Sequence, residues 1–144
     1  MHSADLIVIG AGPAGMSAAR RAAEIGLSVL VLDEQPTPGG QIYRDVDRAS
    51  KERGPILGKD FTDGQALTQG LVHANITHLR GAVVWQIEEG TRVAFTKDGK
   101  GGLASGKRIL LATGALERPM PVPGWTLPGV MTAGAAQILL KQSG

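Results

Sequence analysis

The sequence predicts an α/β fold built on a parallel sheet, and three observations indicate that class. An apolar run, Leu6–Ile9, ends in glycine; a helical pattern follows over residues 13–25; and a second apolar run, SVLVL, occupies residues 28–32. Continuous apolar runs of this length are typical of strands that are buried on both faces. A strand, a helix and a second strand in this order predict a right-handed βαβ unit.

The first helix is predicted from the spacing of its small and apolar residues. Residues that recur at intervals of three and four lie on one face of a helix, and that face is expected to be buried. The residues expected on it are Ala14, Ala18, Ala22 and Ile25. Gly26 follows at the position where a C-terminal glycine cap belongs.

The remaining chain alternates between loops and short patterned segments. Residues 34–41 form a loop rich in proline and glycine, residues 42–60 are polar and give no clear pattern, and residues 61–75 favour a helix. A short third strand is expected at 77–80. Two alternating runs, 83–88 and 92–97, predict a hairpin or three-stranded meander over about 82–105. The segment RILLA (108–112) predicts another buried strand, 115–129 an irregular segment, and 132–141 a final helix.

Composition excludes several classes of function. The net charge, 15 − 13 = +2, comes from basic residues scattered among acidic ones, which disfavours a nucleic-acid partner. The absence of cysteine rules out disulfide chemistry and cysteine-ligated metals, and the three histidines are not spaced as metal ligands. No segment is typical of a signal peptide or a membrane span, so we expect a cytoplasmic protein without a metal site.

The glycine motif after the first strand predicts a phosphate-binding turn. Gly10 permits the tight turn, Gly12 lets the backbone approach a pyrophosphate, and Gly15 lets the helix pack close to the strand. Pro13 and Ala14 lie between these glycines, at the start of the helix, where free N–H groups and the positive end of the helix dipole attract phosphate.

A carboxylate at the end of the second strand completes this dinucleotide-binding pattern. Asp33 follows Gly15 by 18 residues, and Glu34 comes next. In Rossmann-like folds a carboxylate there accepts hydrogen bonds from the adenosine ribose. An acidic residue disfavours a 2′-phosphate, so NADP is not expected at this site. The pattern itself does not separate NAD from FAD.

Three segments, GAGPAG (10–15), VLVLDEQPTPGGQ (29–41) and LLATGA (110–115), together resemble the pyridine nucleotide-disulfide-oxidoreductase-like flavoproteins. The resemblance implies a Rossmann-like FAD-binding domain interrupted by a β-meander. GGQIYR (39–44) and the proline-rich segment 112–137 further resemble the FAD-containing subunits of opine (octopine, nopaline) oxidases, and related hydrogen cyanide synthase and proline or hydroxyproline dehydrogenase subunits. The redox cysteine pair of the disulfide reductases is absent, so their chemistry is not expected.

The resemblance also implies roles for particular residues. Gly40 and Gln41 match the loop that runs beside the cofactor, and Ala82 or Val83 matches the adenine contact. Ala112, Thr113 and Gly114 match the A-T-G segment that closes against the cofactor. The full expected cofactor-binding set is Gly10, Gly12, Pro13, Ala14, Gly15, Asp33, Glu34, Gly40, Gln41, Ala82, Val83, Ala112, Thr113 and Gly114. Arg44 could face an anionic group or be a solvated loop residue. No side chain is a convincing acid or base, so we assign no catalytic residue.

The chain is expected to be incomplete relative to that family. Residues 1–114 would form the first part of the FAD-binding domain, and residues 115–144 a proline-rich connector and helix leading to a missing second domain. NAD(P) would bind only through that second domain. The resemblance implies FAD-dependent oxidation of a C–N bond in an amino-acid or opine-like substrate, with other subunits or the rest of the chain as partners. Two alternatives remain open: a non-catalytic nucleotide-binding or assembly module, and an NAD-binding Rossmann enzyme.

Overall fold

The computed structural model describes residues 1–143, and Gly144, the last residue of the expected connector, lies outside the described residues. Helices and strands alternate in the first half, and strands follow one another in the second. In chain order the elements are β1 (His2–Ile9), α1 (Pro13–Glu24), β2 (Val29–Asp33), α2 (Val46–Leu57), α3 (Lys59–Thr62), α4 (Gln65–Gln69), β3 (Ile76–Arg80), β4 (Ala82–Glu88), β5 (Arg92–Lys97), β6 (Lys100–Leu111) and α5 (Ala133–Gln142).

One six-stranded sheet organises these elements, in the order β3-β2-β1-β6-β5-β4. The first four strands of this order are parallel, and β5 and β4 are antiparallel to their neighbours. The expected α/β class, the βαβ unit and the meander are therefore confirmed. The short third strand is also present, as β3, beside β2.

Strand β6 belongs to both parts of the sheet. Its first half pairs with β5 in the meander, and its second half pairs with β1 in parallel. The strand expected at RILLA is confirmed through Leu111, but it is not a separate, buried strand, since these residues continue β6 and Leu111 is 62% exposed. Beyond Ser105, β6 pairs with β1 alone within residues 1–143, and most of its side chains there are exposed, although Ile109 packs against the core.

The core lies on both faces of the parallel strands. Because successive side chains of a strand point to opposite faces, Val8 and Val31 pack against α1, whereas Ile7 and Leu32 face the other way. On that second face they form a cluster with buried meander residues such as Phe95. The meander therefore covers the face of the parallel sheet opposite α1, which accounts for the fully buried sequence of β2.

The expected buried face of α1 is partly wrong. Ala14 and Ile25 are exposed, whereas Ala22 is buried as expected. The cause is Gly15, which lies so close to the carbonyl of Gly10 that residue 15 must face the sheet. The buried residues of α1 are Gly15, Met16, Ala19, Ala22 and Ala23.

The segment between β2 and β3 differs most from expectation. The polar residues without a clear pattern contain α2, and the helix expected over 61–75 is wrong in extent. Two short helices, α3 and α4, occupy its start and are separated by a turn at Gly64. A side chain at Gly64 would collide with the ring of Tyr43, so this position packs closely against the loop before α2. Across residues 1–143, every helix is too short or too polar to cross a membrane.

The proline-rich segment before α5 is irregular, as expected, and almost entirely exposed. The final helix is also confirmed, with Thr132 at its N-cap. Glu117 accepts hydrogen bonds from the Thr132 hydroxyl and, at 3.0 Å, from the backbone N–H of Gly134. These bonds satisfy helix-end donors that have no partner within the helix.

Candidate functional site

The glycine turn lies where the carboxyl ends of three parallel strands meet. The N–H of Gly10 donates to the carbonyl of Leu32 at 2.8 Å, and the N–H of Ala112 donates to the carbonyl of Ile9 at 2.8 Å. Gly10 has a φ of +102°, and a Cβ there would lie 2.4 Å from the carbonyl oxygen of Ala112. Residue 10 must therefore be glycine for β1, β2 and β6 to converge.

Gly12 has a different role from Gly10. It caps α1 in an extended conformation, with a φ of −75°, which any residue can adopt. A Cβ at this position would meet no atom of the protein closer than the Cα of Gly40, at 3.9 Å. The fold therefore does not require glycine here, and the missing side chain leaves open space in front of the helix. Pro13 and Ala14 follow in the first turn, where the N–H groups have no partner within the helix.

A second glycine loop closes over the first. The N–H of Gly39 donates to the carbonyl of Ala11 at 2.8 Å. Gly40 has a φ of +62°, and a Cβ there would lie 2.9 Å from the Cα of Gly12. The backbones at Gly12 and Gly40 thus lie close together with no side chain between them. A ligand at the start of α1 would therefore meet peptide groups rather than side chains. Such a surface fits a pyrophosphate, since N–H groups and the helix dipole favour negative charge.

Asp33 lies at the end of β2, beside this turn, and is 7% exposed. Burial raises the pKa of its carboxyl, the neighbouring charge of Glu34 adds to that effect, and backbone N–H groups and Arg44 oppose it. Its Oδ1 accepts from the N–H of Gln35 at 3.3 Å, so its side chain is held at the sheet edge. Glu34 is exposed, and its Oε1 accepts from the Gln35 side-chain amide at 3.2 Å.

Gln35 and Arg44 join the surroundings of Asp33, and neither was among the expected cofactor-binding residues. Arg44 donates from Nη1 to Gln35 Oε1 at 2.6 Å, while its Nε is buried without a hydrogen-bond partner in the described part of the chain. Arg44 is therefore not a solvated loop residue. The sequence offered one signal, a lone arginine directly after the glycine loop, but it did not reveal the partner.

The residues expected to contact adenine, Ala82 and Val83, lie at the start of β4. The N–H of Gly81 donates to the carbonyl of Gln35 at 3.2 Å, which brings the start of β4 to the loop after Asp33. Ala82 is 1% exposed and packs in the core beneath the meander, whereas Val83 is 48% exposed. Of the two, Val83 is open to a ligand through its side chain, and Ala82 can contact one only through its backbone.

The A-T-G segment meets the glycine loops from the other side. Ala112 lies under the turn, where its Cβ would be 3.3 Å from a Cβ at Gly15. Thr113 and Gly114 are exposed at the end of β6. Gln41 reaches across to this segment, since its Nε2 donates to the carbonyl of Ala115 at 2.7 Å. The two segments expected to flank the cofactor are thereby linked directly.

The structure thus brings most of the expected residues to one edge of the sheet and leaves others at its margin. The two glycine loops, Asp33, Ala112 and Gln41 surround the start of α1, whereas Glu34 and Thr113 face solvent. A shallow surface depression lined by Asp5, Leu27 and Lys107 lies at the opposite edge, at the amino ends of the strands. Ligands of open α/β sheets bind at the carboxyl ends, so we place the site at the glycine loops.

Comparison with known proteins assigns the class. The family model described as pyridine nucleotide-disulphide oxidoreductase matches residues 4–142. The chain belongs to this family, as the motifs indicated. Over 97% of its length it is 51% identical to the A subunit of opine oxidase from Agrobacterium tumefaciens (strain Ach5). It is 31% identical, again over 97% of its length, to the alpha subunit of sarcosine oxidase from a Corynebacterium species (strain U-96).

The chain spans only part of these relatives. It covers 29% of that opine oxidase chain and 16% of that sarcosine oxidase chain. Among solved structures, L-proline dehydrogenase from P. horikoshii matches 96% of this chain with a TM-score of 0.78 and 22% identity, and the chain covers 28% of that structure. An HOCl-induced flavoprotein disulfide reductase from Escherichia coli matches with a TM-score of 0.70 and 19% identity. At these identities the structures support the fold.

Proposed function

We propose that this chain is the FAD-binding part of a flavin-dependent oxidoreductase that oxidises a C–N bond of an amino-acid or opine-like substrate by hydride transfer to flavin. The observation that carries the proposal is the pair of glycine loops at the start of α1. Gly12 and Gly40 approach each other without side chains, next to the buried carboxyl of Asp33. A pyrophosphate in front of the helix and a ribose at Asp33 fit this arrangement.

FAD would supply the hydride-accepting chemistry, and the residues of this chain would bind and orient it. The first-turn N–H groups of α1 would donate to the pyrophosphate, and Asp33 would accept from the ribose hydroxyls. Gln41, which contacts the segment after Gly114, would hold the loop that runs toward the reactive end of the cofactor. No described side chain is assigned as an acid or base.

The substrate class rests on the relatives. Opine oxidase and sarcosine oxidase are named for nitrogen-containing amino-acid derivatives. We propose that this chain serves the same class of reaction. Because it spans less than a third of these relatives, the substrate would be met by parts of the enzyme outside these residues. Substrate-dependent bleaching of the flavin in the longer enzyme, assayed with a panel of opines and N-alkyl amino acids, tests this point.

We also propose that the protein works with other subunits, in the cytoplasm. Several relatives are named as subunits. In this proposal the nucleotide-binding part ends at residue 114 and the connector comprises residues 115–144. The connector exposes large apolar side chains such as Leu116, Met120 and Leu127. Exposed apolar residues concentrated in one segment are typical of a surface that another chain or domain covers.

The Gly12→Ala substitution tests cofactor binding without unfolding the protein. The added methyl group has room within the chain but would occupy the space expected for the pyrophosphate. We expect FAD and ADP affinity, measured by calorimetry or flavin fluorescence, to fall about 5–150-fold, the range that 1–3 kcal/mol of crowding gives. The melting temperature should be unchanged.

Gly101→Ala is the matched control, because its position in β6 is also open but lies in the meander. It should bind FAD as the unmodified protein does. If the wild-type protein binds ADP as tightly as FAD, the result favours the non-catalytic nucleotide-binding module. If it binds NAD more tightly than FAD, the result favours the NAD-binding Rossmann enzyme. Undiminished FAD binding by Gly12→Ala would place the pyrophosphate elsewhere.

A further inference from the structure

Helix α5 is anchored at its C-terminal end by two arginines of α2. Arg53 donates from Nη1 to the carbonyl of Leu140 and from Nη2 to the carbonyl of Lys141, each at 2.8 Å. Arg48 donates to the carbonyl of Gln142 at 2.8 Å. The last carbonyls of a helix have no partner within the helix, and cations near that end also interact favourably with the dipole. The arginines therefore fix where the last turn of α5 lies.

The side chain of Lys141 extends from that last turn into the loop after the second glycine pair. Its Nζ donates to the carbonyls of Ile42 at 2.7 Å and Gln41 at 3.1 Å, and lies 5.5 Å from the centre of the Phe61 ring. The residue is 5% exposed, and no carboxylate within residues 1–143 pairs with it.

A buried ammonium group that bonds only to carbonyls is costly to maintain. Burial lowers the pKa of Lys141, and the positive charge of Arg44 adds to that effect. Three favourable contacts offset part of this cost: two charge-assisted hydrogen bonds and the face of an aromatic ring. A lysine that only covered the surface of α5 could extend into water instead. Its position therefore indicates a specific contact with the loop.

Gln41 is the residue on which these contacts converge. Its carbonyl accepts from Lys141, and its side chain donates to the carbonyl of Ala115, just beyond the A-T-G segment. The preceding residue, Gly40, lies against Gly12 at the start of α1. The loop 39–42 is thus held by the glycine turn, the end of β6 and α5.

We propose that Lys141 is a positioning residue that fixes the loop 39–42 over the nucleotide site, so that the placement of α5 and the binding of the cofactor are coupled. This inference rests on the proposed function for its ligand. Coupling of this kind is reciprocal: if α5 orders the loop for the cofactor, the bound cofactor must stabilise α5. Lys141 contacts the loop backbone and acts on the ligand through it.

Lys141→Met tests the coupling, because methionine keeps an unbranched apolar stem of similar length but removes the ammonium group that donates to the loop and lies over the Phe61 ring. We expect FAD affinity to fall about tenfold, within the usual range of coupling between sites. In wild-type protein FAD should also slow hydrogen exchange of the α5 amides, and in Lys141→Met this protection should disappear. Lys51→Met is the matched control, since Lys51 is an exposed residue of α2; it should preserve both affinity and protection.

A merely structural lysine would behave differently. Lys141→Met would then lower only the melting temperature. If the variant binds FAD with wild-type affinity, or if FAD still slows hydrogen exchange of its α5 amides, the inference is overturned. The ligand-free protein provides a separate test. Arg53→Met, which releases α5, should speed hydrogen exchange of residues 39–42 relative to wild type. Added to Lys141→Met, the same substitution should cause no further increase.

This ligand-free comparison distinguishes two failures. If the wild-type chain binds neither FAD nor ADP, the proposed function fails, and the exchange of residues 39–42 still decides the coupling. If Lys141→Met does not fold by circular dichroism, Arg53→Met alone answers the question, because unchanged exchange of residues 39–42 would show that α5 does not control the loop.

Discussion

The glycine turn and the connector both contact the loop 39–42, yet they are stabilised in different ways. Around Gly10 the contacts are between backbone atoms, and a single methyl group would collide with them. The connector is exposed throughout residues 114–131 and is held by side chains that bond to distant backbone: Gln41, Arg48, Arg53 and Lys141. The turn is therefore sensitive to shape, and the connector to the loss of individual polar groups.

A substitution that disrupts the glycine turn should lower the free energy of unfolding most. Gly10→Ala would place a Cβ 2.4 Å from the carbonyl oxygen of Ala112, at a φ that disfavours alanine. We expect the free energy of unfolding to fall by about 3–5 kcal/mol, as measured by chemical denaturation, because the backbone of β6 must move.

Gly26→Ala is the control for the backbone conformation alone. Gly26 has a similar φ of +90°, but its Cβ would meet nothing within 4 Å. This substitution should cost about 1 kcal/mol. Equal losses for the two variants would show that conformational preference, rather than the contact with Ala112, determines the turn.

A smaller effect comes from acid, which should weaken the sheet at β3. Burial lowers the pKa of His78, on β3, to about 4, with a contribution from Arg80. Its Nε2 is buried without a hydrogen-bond partner among residues 1–143. The unfolded chain takes up a proton near pH 6.5 and the folded chain only near pH 4, so stability is lost as the pH falls through this window.

We expect that loss to be about 1–2 kcal/mol, after allowing for solvent screening of a ring that is only partly buried. Denaturation midpoints measured between about pH 7 and pH 4 should fall less steeply in His78→Gln. His73→Gln, at an exposed turn, is the control and should keep the wild-type slope. A slope that persists in His78→Gln would assign the acid sensitivity to other groups.

The smallest effect should be confined to the connector. Hydrogen bonds from Thr132 and the backbone N–H of Gly134 lower the pKa of Glu117, so the carboxylate caps α5 most effectively when ionised. Glu117→Gln should speed hydrogen exchange of the α5 amides, and leave the denaturation midpoint of the whole protein unchanged.

The difference in hydrogen exchange of α5 between wild type and Glu117→Gln should shrink as the pH falls. The wild-type carboxyl is then protonated, so both proteins cap the helix with a neutral group. This acid response begins only below the ordinary glutamate pKa of 4.5, whereas that of His78 begins near pH 6.5, so the sheet should respond to acid before the cap of α5 does. A shift of the global midpoint in Glu117→Gln would mean that the connector and the sheet unfold as one unit.

The features that depend on local chain geometry can be read from the sequence. The βαβ unit, the position of Asp33 at the end of β2, the meander and the final helix all follow from patterns within a few residues of one another. Local propensity did not identify α2, because its polar face and its internal Pro55 hide the helical pattern. The expected face of α1 was displaced because the contact of Gly15 with Gly10 overrides the spacing of alanines.

Contacts between residues that are distant in the sequence follow from the folded chain and cannot be read from the sequence. Lys141 bonds to the carbonyls of Gln41 and Ile42 from about a hundred residues away, and Arg44 is paired with Gln35 rather than solvated. The exposure of most side chains of β6 beyond Ser105 likewise depends on whether distant segments pack over that part of the sheet. A backbone requirement such as that of Gly10 constrains the residue in place and can be seen in the sequence. A hydrogen bond to a carbonyl needs no particular residue type at the acceptor, so the sequence does not reveal it.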